Sequence, residues 1–205
     1  MQDCSDCSGQ QADEATSRID QIADAALRRF ARYGYRRSSM DDIAKEAGLA
    51  KATLYLHFKS KDDIFRAMLA RLGTRVEARC REAMAQEAPF PAKLAALLQA
   101  HFCTAFAAFG DGDHLVELKA VMADVASREI EAFEAVFAGF ATTLLAQAES
   151  AGEITLSRVG LQRDALVAAL MLAAIGAKSG TMPSRDVYSA RLLDLASVFS
   201  AALVA

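Results

Sequence analysis

Ser39 to Phe58 reads SMDDIAKEAGLAKATLYLHF, and its spacing predicts two short helices joined by a tight turn. Ser39 suits a helix N-cap, and Asp42 three residues on completes a capping box. Met40, Ile43, Ala44 and Ala47 then share one helical face. Gly48 supplies the left-handed residue that ends a helix at little cost, and Leu49 is the apolar plug of the turn. A second helix begins near Ala50 or Lys51. On it Leu54 and Phe58 lie at i, i+4, while Lys51, Thr53, Tyr55 and His57 can point elsewhere. Helix, short glycine-containing turn and second helix describe a helix-turn-helix, a motif whose second helix enters the major groove of DNA.

The pattern extends well beyond the motif. The ungapped run F-x-x-x-G-Y-x-x-S-S-x-x-D-I-A-x-x-A-G-L-x-K-A-T-L-Y-x-H-F-x-S-K-D-D-I-F, Phe30 to Phe65, resembles the DNA-binding domain of TetR-type transcriptional regulators. Two departures stand out. Ala50 replaces the Ser or Thr usual at the start of the recognition helix, removing a cap or phosphate ligand. Leu56 stands where a polar residue is common. The resemblance implies an all-α chain: an N-terminal three-helix DNA-binding domain followed by a C-terminal helical domain for ligand binding and dimerisation. It implies a DNA face of Arg18, Ser38, Ser39, Lys51, Ala52, Thr53, Tyr55, His57 and Lys61. Tyr55, His57 and Lys61 would meet phosphates, with Lys51, Ala52 and Thr53 nearer the bases.

Composition agrees with a helical protein. The 205 residues are 53% apolar with only three prolines, enough for a real core and nearly continuous helix. The formal net charge of −3 argues against a nucleic-acid partner until its distribution is read. Residues 17–62 hold ten Lys or Arg against six Asp or Glu, a net +4, so positive charge gathers on the segment that would face phosphate. Residues 1–16 carry four acidic side chains and no basic one, without periodicity, and are expected to be a disordered tail. They show neither the basic nor the apolar region of a signal peptide. Cys4 and Cys7 form a C-x-x-C pair, but Cys80 and Cys103 are remote in sequence, so no metal site or cofactor is expected and the thiols read as incidental. Scattered thiols fit a cytoplasmic protein.

A helix is expected from Ser17 to about Tyr33, with Ile19, Ile22, Ala23, Ala26, Leu27, Phe30 and Ala31 as its apolar stripe. Arg18 and the Arg36–Arg37 pair are placed to reach phosphate. Ser60 starts a further helix with its own capping box to Asp63, running through Ile64, Phe65, Met68, Leu69 and Leu72 towards Ala85. The expected division is a tail over 1–16, a DNA-binding domain over 17–77 with the motif at 39–58, and an effector-binding and dimerisation domain over 78–205.

In that last part, Pro89 and Pro91 mark a break. Helices follow from about Ala92 to Gly110–Gly112, His114 to Ala123, Arg128 to Ser150, Arg163 to Lys178 and Ser184 to Val204. Most of the phenylalanines lie between Phe90 and Phe140, where the family places its ligand cavity. Effector-site candidates are His101, Phe102, Phe106, Phe109, His114, Phe133, Phe137, Phe140 and Met171, although aromatics at this spacing equally suit plain core. Cys103 and Glu117 are further polar candidates. Ala165 to Ala177 is apolar all round yet too short to span a bilayer, so burial in protein is expected. The last two helices would pair with a second copy, with Leu166, Leu170, Ala173, Tyr188, Leu192, Leu195 and Phe199 as the interface.

The expected function is a repressor that leaves a palindromic double-stranded operator on binding a small, largely apolar effector. Two alternatives stand beside it. An enzyme would need His101, Cys103, His114 or Glu117 to form an active site, and no phosphate loop, metal set or nucleophile motif supports one. A protein-interaction adaptor with a vestigial head would not need the basic charge of residues 17–62.

Overall fold

The computed structural model describes residues 6–109, 114–179 and 182–204. Among them the chain is helical, without strands; one isolated antiparallel bridge joins Ile154 to Val204. The helices are α1 (Asp6–Tyr33), α2 (Met40–Glu46), α3 (Lys51–His57), α4 (Lys61–Met84), α5 (Phe90–Leu98), α6 (Thr104–Phe109), α7 (Leu115–Val125), α8 (Ser127–Ser150), α9 (Arg163–Gly176) and α10 (Arg185–Leu203). A π-turn over Gln99–Cys103 joins α5 to α6. The expected single helix from Ala92 therefore carries a π-bulge. Its expected end at Gly110–Gly112 lies outside the described residues, as does Cys4.

The first helix starts earlier than expected. Residues 6–16, taken as tail, belong to α1. Gln10, Gln11, Ala12, Glu14 and Ala15 are good helix formers, and with no proline before Pro89 nothing stops a nucleated helix from extending backwards.

Two compact units make up the chain. The first takes the chain as far as Leu72 together with residues 114–130, and the second takes residues 73–109 and 131–204. Helix α4 crosses the division between Leu72 and Gly73. The expected boundary near residue 77, with everything beyond it in one body, missed the contribution of α7 to the first unit. Leu118 is fully buried there, and the Glu117 carboxylate accepts the Arg36 backbone N–H at 2.7 Å. A contact across 81 residues leaves no trace in local periodicity.

In the first unit, Ile22, Ala26 and Phe30 of α1 bury against Ile43, Leu54, Ile64, Phe65 and Met68. Phe30, Tyr35 and Phe65 form an aromatic trio with centroids 5.2 to 5.7 Å apart. The amide of Gln21 donates to the Ala47 carbonyl at 2.8 Å, closing the end of α2. Arg71 of α4 makes two 2.9 Å bonds to Asp24 of α1.

In the second unit, Phe90, Leu94, Leu97 and Leu98 of α5 are fully buried, and α5 packs against α10. The stretch Phe90–Phe109 is long and apolar enough to cross a membrane by length and composition, and its Phe90, Leu94, Leu97, Leu98, Phe102, Phe106 and Phe109 belong to the buried core. Pro91 sits in the first turn of α5, where its missing N–H costs nothing. Glu153 accepts the Phe90 N–H at 2.7 Å. The Tyr188 hydroxyl donates to the Ala174 carbonyl at 2.9 Å, tying α10 to α9.

Candidate nucleic-acid interface

The turn between α2 and α3 is built as its sequence requires. The Ser39 side chain caps the Asp42 N–H, and the Asp42 carboxylate returns a bond from the Ser39 N–H at 3.0 Å. The Ser39 hydroxyl donating to the Asp42 carboxylate, and then the Ser39 N–H, lower the Asp42 pKa. Gly48 has φ +67°, and the pair of bonds Gly48 N–H to Lys45 carbonyl and Leu49 N–H to Ala44 carbonyl forms a Schellman closure. Ala50 precedes α3 without a side-chain cap. The second capping box, Ser60 with Asp63, is also formed.

Helix α3 buries Leu54 completely and Phe58 nearly so. Its solvent side carries Lys51, Ala52, Tyr55 and Leu56, with Thr53 and His57 half-buried at the edges. Lys51 pairs with Asp41 at 2.8 Å, and that hydrogen bond raises the ammonium pKa. Both groups are more than 40% exposed, so a phosphate can compete for the lysine. Arg18 is exposed and bonded to Gln21 at 3.3 Å. Arg36 and Arg37 are exposed as well.

Two candidate contacts need correction. Ser38 is buried, with its hydroxyl donated to the Gly34 carbonyl at 2.7 Å, so it is a turn residue rather than an exposed phosphate ligand. Ser39 is exposed, but its hydroxyl is engaged with Asp42 at 2.7 Å. Lys61 is more embedded than a lysine serving phosphate alone. Its ammonium lies 4.1 Å from the Tyr35 ring centroid and donates to the Tyr35 and Ser38 carbonyls at 2.9 and 3.0 Å. Desolvation lowers its pKa. One of its three protons remains for a phosphate.

Residues 22–68 match the family described as bacterial regulatory proteins, tetR family. That segment is a TetR-type DNA-binding domain. Among its relatives, the fatty acid metabolism regulator protein of Bacillus subtilis (strain 168) is 40% identical over 83 residues, covering 40% of this chain and 42% of that protein. The match thus spans less than half of the relative's length. The structure of a transcriptional regulator from Cytophaga hutchinsonii superposes with a TM-score of 0.70 at 17% identity, covering 91% of this chain and 98% of the other. SmeT, the repressor of a Stenotrophomonas maltophilia multidrug efflux pump, gives 0.66 at 17%, covering 91% and 90%. At such identities these structures establish the fold alone. The relatives matched over this domain are named as transcriptional regulators, which favours a regulator over the enzyme alternative.

The effector reading of the second unit is less direct. His101 is buried at 1% exposure, its ring packed 4.4 to 5.3 Å from those of Phe102, Phe133 and Phe137, with Nδ1 lacking a hydrogen-bond partner. Burial, and secondarily the Lys178 charge, pushes its pKa down to about 3, so the imidazole is neutral. Phe106 and Phe109 are buried, and Phe106 stacks 4.9 Å from Tyr188. Met171 is half-buried. Apart from the half-buried Phe133 and Met171, these side chains form core. A groove of about 460 Å³ in this unit is lined by Glu77, Met84, Ala135, Val136, Gly139, Phe140, Thr143 and Gln147. Of the effector candidates only Phe140 faces it. His114 is not in this unit at all; it sits 3.8 Å from Glu117 beside Gly34 in the first.

The expected dimer face also needs correction. Leu166, Leu170, Tyr188 and Leu192 are buried within their own chain, while Ala173, Leu195 and Phe199 are half-buried. The exposed apolar residues on the same two helices are Leu172, Ile175, Val187, Leu193 and Val198. A pattern apolar on every side says that a helix is buried, not which side its own chain covers.

Proposed function

We propose that this chain is a dimeric, effector-responsive transcriptional repressor that places two α3 helices in successive major grooves of a palindromic operator. The observation that carries this reading is the division of α3. Leu54 and Phe58 anchor it, and Lys51, Ala52, Tyr55 and Leu56 are left for a partner, within a segment of net +4 charge. Arg18, Thr53, His57 and Lys61 would add contacts around that face. Phosphate contacts would set the register and base contacts the choice of site. A dimer supplies the two-fold symmetry that half-sites about 34–36 Å apart demand.

The domain division fits this role, with the chain to Leu72 and residues 114–130 as the head and residues 73–109 and 131–204 as the body. The α4–α8 groove, largely apolar with one carboxylate from Glu77, suits a small apolar effector. A relative named for fatty acid metabolism agrees with that class. Such a ligand releases DNA only by binding one conformation better, typically by about 1–3 kcal/mol. Repression follows the description of SmeT, and the cytoplasm is where such a regulator would act.

The test is fluorescence anisotropy with DNA from upstream of the gene, across a salt series. Tight binding above a scrambled duplex, with an affinity falling steeply with salt, supports the regulator. Binding no stronger than the scrambled control after stripping bound small molecules under denaturing conditions and refolding would refute it at that site, and selection from random duplexes would then decide it in general.

A further inference from the structure

Leu56 is 83% exposed, the highest among the exposed large apolar side chains on the described surface. It is not an isolated oddity at a loop. It lies in α3 one turn from Ala52, also exposed, and next to Tyr55 at 46%, so the helix offers water a small apolar strip beside the Lys51 ammonium. On the opposite side Leu54 and Phe58 already fill the core, so nothing within the chain requires another leucine here. Resting on the DNA-binding reading above, we propose that Leu56, backed by Ala52, is a specificity-determining residue that reads the C5-methyl group of thymine in the operator.

The chemistry is one of elimination among base edges. In the major groove guanine, adenine and cytosine present hydrogen-bonding groups, while thymine adds a methyl group to a single acceptor. A leucine can neither donate nor accept, and placing it over a polar edge would desolvate that edge without return. Over a methyl it removes two apolar surfaces from water at once. The surrounding charge fits the same partner: the exposed Lys51 and Lys59 lie within five residues of Leu56 in the chain and would meet nearby phosphates. A polar residue at this position would read a different base, so the leucine would set this protein's site apart from those of relatives with a polar side chain there.

Deoxyuridine differs from thymidine by that methyl alone, so the test is a methyl scan. The full-length protein first selects its highest-affinity duplex from a random library. Each thymine of one half-site is then replaced by deoxyuridine and binding is measured for the wild type and for Leu56→Ala, with Leu56→Val as a variant that keeps an apolar contact. The wild type should lose about fourfold in affinity at one or two thymines, the factor expected for one methyl group leaving an apolar contact. Leu56→Ala should bind thymine and uracil duplexes within about 1.5-fold of each other at those positions, with Leu56→Val between, and the salt dependence should stay unchanged. Wild-type indifference to every thymine replacement, or a full uracil penalty retained by Leu56→Ala, would overturn the assignment while leaving DNA binding intact. Failure of any duplex to enrich would remove the DNA-binding reading, and this inference with it.

Discussion

Gly34 and Glu117 should behave as one energetic unit. Gly34 has φ +82°, and a Cβ built there would lie 2.5 Å from Glu117 Oε2 and 3.0 Å from His114 Nδ1. Alanine in that backbone region costs roughly 1.5 kcal/mol. The new methyl must also push aside a carboxylate that is bonded to the Arg36 N–H at 2.7 Å. Loss of a hydrogen bond to a charged group costs about 1.5–3 kcal/mol, and the lower end suits a side chain that is 24% exposed. Gly34→Ala should therefore destabilise by about 3 kcal/mol and Glu117→Ala by about 1.5. In the double variant the closest obstacle is gone, only the His114 ring must give by a few tenths of an ångström, and no bond is left to break, so the cost should be about 3 rather than the additive 4.5 kcal/mol.

The chain has no tryptophan, so urea unfolding of the full chain is best followed by far-ultraviolet circular dichroism. A coupling of about 1.5 kcal/mol is expected from the cycle. Additivity to within about 0.5 kcal/mol would refute the tie between α7 and the turn that leads into the helix-turn-helix.

His101 takes up its proton only near pH 3 in the folded chain, against 6.5 for the ordinary group, because burial disfavours the imidazolium. The unfolded chain thus binds more protons between those values, and stability falls as pH drops from 6.5 towards 3; His101→Leu should flatten this part of the profile, read as the change in urea midpoint between pH 7 and pH 5 for each protein. Lys61→Met keeps the stem beside Tyr35 but abandons the Tyr35 and Ser38 carbonyls, and should cost about 1–3 kcal/mol even without DNA; an unchanged unfolding midpoint would show that the ammonium does not brace this turn. Leu172→Glu, on the exposed side of α9, should yield monomers by sedimentation and abolish operator binding, whereas a fully dimeric variant would place the interface elsewhere.

The helix-turn-helix was legible because each of its parts is local. Two capping boxes, a left-handed glycine and an i, i+4 anchor pair each span five residues or fewer, and all of them are formed. What escaped the sequence depends on distant partners. Glu117 looked like a possible pocket residue because nothing near it announces Arg36. Lys61 looked like a phosphate ligand, since no spacing rule shows that the carbonyls of Tyr35 and Ser38 converge on its ammonium. Ser38 shared its polar neighbour's promise, yet a bond to Gly34 four residues back turns it inward. Most effector candidates sit in the core for a related reason. Aromatics at helical spacing report burial, and burial against Phe137 or Tyr188 fills space as readily as it lines it.

Helix α9 brings that ambiguity to its sharpest form, and also suggests its solution. A helix apolar on all sides needs covering on all sides. Its own chain covers Leu166, Val167, Leu170 and Ala174, while Leu172 remains 68% and Ile175 38% exposed. On α10 the same division recurs, with Tyr188, Leu192 and Ala196 inside and Val198 66% exposed. Two neighbouring helices with apolar residues facing water are poor economy in a monomer, since each such side chain forgoes about 1.5–3 kcal/mol of burial. A second copy presenting the same two helices would cover both strips by symmetry with no further element required. Leu166, Leu170, Tyr188 and Leu192 serve the core, and the half of the pattern that the core leaves unused is the half available to a partner.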